Sequence, residues 1–402
     1  MADNSVITSI TDWLIDLSLA DPDINVMFRK MCERMLAAGF PISRAMITYQ
    51  TLHPVIENEM VVWKRGEGAE MERFAHRREE PDAWRASPLK FMLDTEAGFF
   101  RRRLAGPEAT FDFPVLEEFA DKGHTDYVAM ATQFHTHGAG QSNAPRGILV
   151  SWCSDRPDGF SDGDIAGLKR IQRRFAVACK MVIQYDITRN IADTYLGHRA
   201  ADKVLSGQIR RGDGDTMRAV VWYSDVHGST ALADTMPQSD YLELLNDYFE
   251  CTAGAALDAG GEVLSFIGDA VLAIFPVETD ADLPEAARAA SAAIEDALER
   301  SRQVNADRAI AGRRTFRFSI ALNLGEVMFG NIGVAQRLSF SVIGPTVNEV
   351  ARIEKLTRQM DVPALAAEVV GAAAPEYWRR SGQETLAGVA EPVCLFDWSS
   401  VH

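Results

Sequence analysis

The chain has 402 residues and a formal net charge of −16, with 47% hydrophobic and 24% charged residues. That length suffices for two or three domains, and the composition is ordinary for a soluble globular protein. The negative charge argues against a nucleic-acid surface, which needs basic patches, but not against a nucleotide held through metal ions. No apolar run approaches the ~18 residues that span a bilayer, and the N-terminus does not resemble a signal peptide. The sequence therefore predicts a cytoplasmic protein without a membrane span, and five widely spaced cysteines fit reduced thiols.

The first predicted segment, residues 1–184, begins with helical patterns at about 5–19 and 24–38. Four strand-like runs follow, RAMITYQTL, EMVVWKR, YVAMATQF and RGILVSW, whereas the middle, about residues 66–125, is interpreted as charged and irregular. A long helical pattern then begins with Ser161 as a candidate N-cap residue. In element order alone, helices around a central antiparallel sheet resemble a sensor domain of the GAF or PAS type, which implies an α/β regulatory domain.

Two features of this half have alternative interpretations. Residues 185–215 are predicted to form a linker, helical at first and ending in the turn-rich RRGDGD, which either transmits a signal or is a passive spacer. His135 and His137, in FHTHGAG, either ligate a metal or haem or lie at a partly exposed strand end.

Residues 216–402 carry the clearest pattern, with the predicted order β-α-β-β-α-β-β-α. TMRAVVWYSD reads as a strand, GEVLSFIGDAVLAIFP as a hairpin around Gly-Asp, and PTVNEVARIEKLTR as a helix with proline at its first position. FRFSIALNLGEVMFGNIG is interpreted as a strand, a turn and a second strand. This order predicts an α+β domain with one mixed sheet covered by helices.

Two aspartates in this segment are candidate metal ligands. Asp225 ends the first strand, in WYSDVHGST, and Asp269 follows a glycine at the hairpin tip. Where these elements are neighbours in the sheet, both carboxylates converge on one point. Mg²⁺ typically takes one or two carboxylates plus substrate phosphates. The alternative for each residue alone is a strand that ends at the surface in a polar turn.

Asn348 and Arg352 form a second candidate group. They are four residues apart on a predicted helix and therefore share one face. An arginine offers a fork of donors that suits a phosphate, and a neighbouring asparagine suits a ribose. A solvated helix face is the alternative interpretation of the same spacing.

Four strings together resemble the catalytic domain of the class III nucleotidyl cyclases: WYSDVHGST, GGEVLSFIGDAVLAIF, FSIALNLGEVMFGNIG and FSVIGPTVNEVARIEKL. Their order matches the family, as does the spacing of 44 residues from Asp225 to Asp269. The resemblance covers about 180 residues and implies a ferredoxin-like catalytic domain. It does not extend to the first half of the chain.

The resemblance implies metal and phosphate contacts near the first strand. Asp225 and Asp269 fall on the family's metal-binding aspartates, and the backbone carbonyl of Val226 on a further ligand, for two Mg²⁺ or Mn²⁺ ions per site. The triphosphate would be bound by the turn of His227, Gly228, Ser229 and Thr230, together with Gly268.

The resemblance also assigns the second group. Asn348 falls on the asparagine that orients the ribose, and Arg352 on the arginine that stabilises charge in the transition state. In the family the aspartates come from one catalytic domain and the Asn-Arg pair from another. The resemblance therefore implies a head-to-tail homodimer that converts a nucleoside triphosphate into its 3′,5′-cyclic monophosphate and pyrophosphate.

Several positions depart from the family pattern. Ser265 stands where adenylate cyclases usually carry a lysine at the base, and Ser341 stands at its partner position. Ser319 and Val389 stand where phosphate-binding basic residues are common. ATP is the first choice by base rate, and GTP or a pyrimidine triphosphate remains open. A weak or inactive nucleotide-binding regulator, or a protein that acts only through interactions, is the alternative to an active cyclase.

Overall fold

The computed structural model describes residues 4–20, 23–134, 147–334, 336–386 and 392–399. It forms two compact units, Met1–Thr194 and Tyr195–His402, whereas the functional boundaries expected after residues 184 and 215 stay predictions. His135, His137 and Val389 lie outside the described residues. None of the described helices combines the length and the apolar character that a bilayer crossing needs.

The N-terminal unit is an antiparallel sheet with helices on both faces. Its elements are α1 (Asn4–Ser18), α2 (Ile24–Ala37), β1 (Arg44–Gln50), β2 (Ile56–Lys64), β3 (Gly68–Ala75), α3 (Asp82–Arg85), α4 (Pro88–Asp94), β4 (Phe99–Arg103), α5 (Pro114–Asp121), β5 (Asp126–Gln133), β6 (Gly147–Ser154) and α6 (Asp162–Leu196). The strand order is β3-β2-β1-β6-β5-β4. Helices α1, α2 and α6 bury apolar side chains on one face of the sheet, and α4 and α5 on the other.

The prediction that the charged middle of this unit is irregular is wrong. This segment contains β3, β4 and three short helices. In β4, Arg101 and Arg103 lie 2.7 and 3.2 Å from the carboxylate of the fully buried Asp126. Charged residues can occupy this strand because their charges are paired across the ladder.

The C-terminal unit is built on a mixed sheet. Its elements are α7 (His198–Leu205), β7 (Gly214–Val226), α8 (Ser229–Thr235), α9 (Gln238–Asp258), β8 (Glu262–Ile267), β9 (Ala270–Pro276), a 3₁₀ turn (Asp280–Asp282), α10 (Leu283–Ile310), β10 (Phe318–Val334), β11 (Arg337–Ile343), α11 (Pro345–Met360), β12 (Ala364–Ala367), α12 (Glu368–Ala373), β13 (Trp378–Glu384) and β14 (Val393–Trp398). The strand order is β13-β14-β12-β10-β7-β9-β8, with β11 paired to β10. Because β10 and β12 are parallel and the other pairs antiparallel, the predicted mixed sheet is observed.

Strand β7 is apolar along most of its length because helices cover both faces of the sheet. Val220 and Trp222 face the core formed with α9, α10 and α12. Ala219 and Val221 face the opposite core, to which α11 contributes Val350. Alternation along the strand places Asp225 on the α11 face.

Strand β10 is one continuous strand, so the predicted turn at its centre is wrong. Gly325 pairs with Ala219 of β7 in unbroken register. A Cβ atom at Gly325 would lie 2.2 Å from Oγ1 of Thr346, so glycine permits the first turn of α11 to approach the strand. Thr346 Oγ1 donates a 3.0 Å hydrogen bond to the carbonyl of Glu326 and fixes this end of α11 on the sheet.

Candidate active site

Asp225 and Asp269 meet at one end of the sheet. Asp225 is paired with Ala270, the first residue of β9. Asp269 precedes it in the two-residue loop from β8, where Gly268 takes a φ of +66°, which favours glycine. The two side chains are close enough for Asp269 to raise the pKa of Asp225. The sequence had indicated this convergence only on the condition that the two elements were neighbours.

The electrostatics of the pair favour a cation. Burial, followed by the hydrogen bond and charge of Asp269, raises the pKa of Asp225 to about 6. The charge of Glu354 adds to this effect, and Arg358 opposes it. A bound divalent cation would stabilise the ionised carboxylates that their own repulsion disfavours.

The donor set suits Mg²⁺ or Mn²⁺. Carboxylate oxygens are hard ligands, and Mg²⁺ keeps positions for phosphates and water beside one or two carboxylates. Within the part of the chain that the structure describes, no group of three His, Cys, Asp or Glu side chains is arranged to hold a metal. Asp225 and Asp269 therefore fit a metal shared with a phosphate ligand better than a closed protein cage.

A hydrogen-bonded chain of side chains lies behind Asp225, and the sequence interpretation missed it. Arg358 Nη2 lies 2.5 Å from Asp225 Oδ2 and 3.3 Å from Glu354 Oε1. Ser319 Oγ donates to the same Glu354 oxygen at 2.6 Å and lies 2.9 Å from Nε2 of His227. Because Ser319 has one hydrogen and gives it to Glu354, His227 donates from Nε2.

Glu354 is the unusual member of this hydrogen-bonded group of side chains. It is fully buried, and this burial is the main cause that raises the pKa of its carboxyl group. Its Oε2 atom has no hydrogen-bond partner among the described residues. The sequence carried one signal for it, namely the four-residue spacing from Glu354 to Arg358 on one helix face. That spacing alone does not place either residue beside Asp225.

The predicted phosphate turn directly follows Asp225. The backbone N–H of His227 donates to the carbonyl of Arg317 at 2.8 Å, and burial lowers the pKa of the His227 imidazole, as do Arg358 and Arg317. Gly228 takes a φ of +69°, and α8 begins at Ser229 and includes Thr230. The turn thus brings its backbone to the same end of the sheet as the two aspartates.

Asn348 and Arg352 are not brought to the aspartates of their own chain. Asn348 is exposed and Arg352 half-buried on α11, and neither makes a hydrogen bond or an ion pair among the described residues. With a rise of about 1.5 Å per residue, Asn348 lies about 15 Å along the helix from Arg358, which contacts Asp225.

The two serines expected to contact the nucleobase lie on different strands. Ser265 of β8 is paired with Leu272, which in turn is paired with Tyr223 of β7. Partners across a sheet share a face, so Ser265 is on the face that carries Asp225. Ser341 of β11 has its hydroxyl oxygen 3.2 Å from that of Ser339.

Residues 215–377 match the family model described as the adenylate and guanylate cyclase catalytic domain. An adenylate cyclase of Anabaena cylindrica is 31% identical over 166 residues, which are 40% of this chain and 32% of that protein. An uncharacterised protein of Mycobacterium tuberculosis is 30% identical over 234 residues, 57% of this chain and 40% of its own. The chain thus spans less than half the length of these curated relatives.

Two solved structures are also similar to this chain. The guanylyl cyclase Cya2 is 28% identical with a TM-score of 0.41, covering 47% of this chain and 95% of its own. The adenylyl cyclase CyaB from P. aeruginosa is 22% identical with a TM-score of 0.40, covering 47% and 97%. Residues 215–377 of this chain are thus similar to the adenylate and guanylate cyclase catalytic domain.

Proposed function

We propose that this protein is a nucleotidyl cyclase that converts a nucleoside triphosphate, ATP in the first instance, into the 3′,5′-cyclic monophosphate and pyrophosphate. The observation that carries the proposal is the meeting of Asp225 and Asp269 within a domain of the cyclase family. Val226 adds a backbone carbonyl next to Asp225. These groups would hold two Mg²⁺ or Mn²⁺ ions.

The other functions in the reaction are assigned to particular groups of this chain. When bound, the metal ions would lower the pKa of the ribose 3′-hydroxyl and neutralise phosphate charge. The backbone N–H of His227 already donates to Arg317, so the backbone N–H groups of Gly228, Ser229 and Thr230, together with Gly268, bind the triphosphate. Asn348 orients the ribose, so that its 3′-oxygen attacks the α-phosphorus in line with the leaving pyrophosphate. Arg352 faces the charge that builds on the phosphate, a contribution of about 10²–10³ in rate for one preorganised donor.

The placement of these groups supports a head-to-tail homodimer. Asn348 and Arg352 stay apart from Asp225 in one chain, so we propose that a second copy supplies them. Exposed apolar side chains on β8, β10 and β11 offer an interface for that copy: Phe266, Ile267, Met328, Ile332, Val334 and Ile343. A further row at helical spacing on α6, Val177, Met181 and Tyr185, is also exposed.

The N-terminal unit is proposed to be a GAF- or PAS-like regulatory domain. Its ligand or signal would act on the catalytic domain through residues 185–215. Because a shared active site depends on the mutual position of two catalytic domains, a change in that linker alters the rate without touching a catalytic residue.

An assay with four different nucleotides tests the proposed function and identifies the preferred nucleobase. Ser265 and Ser341 present hydroxyl groups, which donate and accept, so neither selects one base by charge. Purified protein with Mn²⁺ and ATP, GTP, CTP or UTP in separate reactions is expected to give the most cyclic monophosphate from ATP, read by mass spectrometry. A larger yield from another nucleotide would correct the base and keep the reaction. Absence of product from all four, with a dimer confirmed in solution, would favour the alternative of an inactive nucleotide-binding regulator.

A further inference from the structure

We propose that Arg358 competes with a divalent cation for Asp225 and that it turns to the triphosphate once the cation occupies that carboxylate. The inference rests on the proposed function, because it takes Asp225 as a metal ligand. It adds a phosphate-binding residue to this protein. Ser319, which is paired with Asp225 in the sheet, offers no positive charge for that role.

The contacts of Arg358 show the competition. One guanidinium nitrogen bridges Asp225 Oδ2 at 2.5 Å and Glu354 Oε1 at 3.3 Å. A guanidinium on a carboxylate oxygen occupies a position that a metal ion would need. Arg358 therefore competes with a metal ion for Oδ2 of Asp225.

Glu354 keeps Arg358 near the site after the exchange. It lies one turn earlier on α11, and its side chain is 1% exposed, against 39% for Arg358. Burial fixes the carboxylate, whereas the half-exposed guanidinium can rotate about it. The charges of Asp269 and Glu354 both act on Asp225 and only Arg358 opposes them there, so a divalent cation would reduce a local excess of negative charge.

Arg358 borders a cavity in which its guanidinium would contact the phosphates. It has a volume of about 400 Å³, and Arg358 lines it together with Arg317 and the turn residues His227 and Gly228. Among the residues that the structure describes, the Arg317 side chain is paired with Asp361 at 3.5 Å, and it is 77% exposed. The carboxylate of Asp361 and several apolar side chains also line the cavity, but its two arginines outnumber that carboxylate. An excess of arginine beside the turn assigned to the phosphates fits an anionic phosphate chain.

The test compares the metal alone with a metal–phosphate complex. In Arg358→Gln, the competing charge is gone, and Mn²⁺ without nucleotide is expected to bind more tightly, on the order of tenfold, as titrated by calorimetry or by the electron paramagnetic resonance of free Mn²⁺. The preformed manganese complex of inorganic triphosphate is expected to bind at least about tenfold more weakly, since a charge-assisted contact is lost. A merely structural role would weaken both.

Three controls make the result decisive. Arg379→Gln breaks an arginine–aspartate pair elsewhere, between Arg379 and Asp397, and should change neither affinity. Arg358→Lys keeps the charge and should fall between wild type and Arg358→Gln, and thermal unfolding checks that each variant is folded. If Asp225→Asn binds Mn²⁺ as wild type does, the metal role of Asp225 fails and the proposed function with it. If Mn²⁺ binding depends on Asp225 but Arg358→Gln does not tighten it, or does not weaken the complex, only the present inference is overturned.

Discussion

Asp225→Ala is expected to lower cyclic nucleotide formation by about 10³-fold or more, because its carboxylate, next to the end of β7, is the proposed ligand of the cation on which the reaction would depend. Its side chain is only 22% exposed and is held by Arg358, so alanine removes a positioned ligand rather than a mobile surface charge. The rate of cyclic product formation at saturating Mn²⁺ and nucleotide measures the effect.

The matched control is Asp307→Asn, an exposed aspartate on α10 without a side-chain partner among the described residues. It should retain the wild-type rate. A wild-type rate of Asp225→Ala at saturating Mn²⁺ with a loss at low Mn²⁺ would mean that Asp225 tunes the affinity for metal without being required. An unchanged rate at every Mn²⁺ concentration would remove Asp225 from the site altogether.

Mixing two inactive variants is expected to restore activity. Asp225→Ala and Arg352→Ala should each be inactive alone, because every site in either homodimer lacks one group. In a mixed dimer one of the two sites has both groups intact, so equal, freely exchanging subunits should recover about a quarter of the wild-type rate. The measurement is the cyclase rate after co-incubation, or after co-expression with two different purification tags.

The negative control for this experiment mixes Asp225→Ala with Asp269→Ala. Both aspartates belong to the same side of the proposed interface, so every site in a mixed dimer still lacks a ligand. Recovery in this control, or wild-type activity of a chain shown to be monomeric, would contradict a shared site.

The aspartate pair was predictable from sequence because its signal is local. A carboxylate at the end of an apolar strand and a second on a Gly-Asp hairpin are each visible in a few residues, and β7 and β9 are neighbours in the sheet. The helix with Asn348 and Arg352 was visible for the same reason, through its proline start and apolar spacing. The roles of these residues remain predictions that the mutations above test.

The side chains behind Asp225 could not be predicted, because their positions depend on long-range packing. Ser319 and Asp225 are partners across two strands that are distant in sequence, and Glu354 reaches them from a helix fixed on β10 through Thr346. Strand β4 was missed because a run of arginines favours an exposed segment unless a buried partner such as Asp126 exists. Its partner is on another strand and leaves no local pattern.

The most direct test of the central claim is the stoichiometry of the products formed from ATP, or from the preferred nucleotide, with Mn²⁺. A cyclase predicts equal amounts of 3′,5′-cyclic monophosphate and pyrophosphate, with no inorganic phosphate, since the 3′-oxygen of the same molecule displaces pyrophosphate from the α-phosphorus. Linear mono- or diphosphate in place of the cyclic product would contradict the account, because it would show that water rather than the ribose hydroxyl attacks.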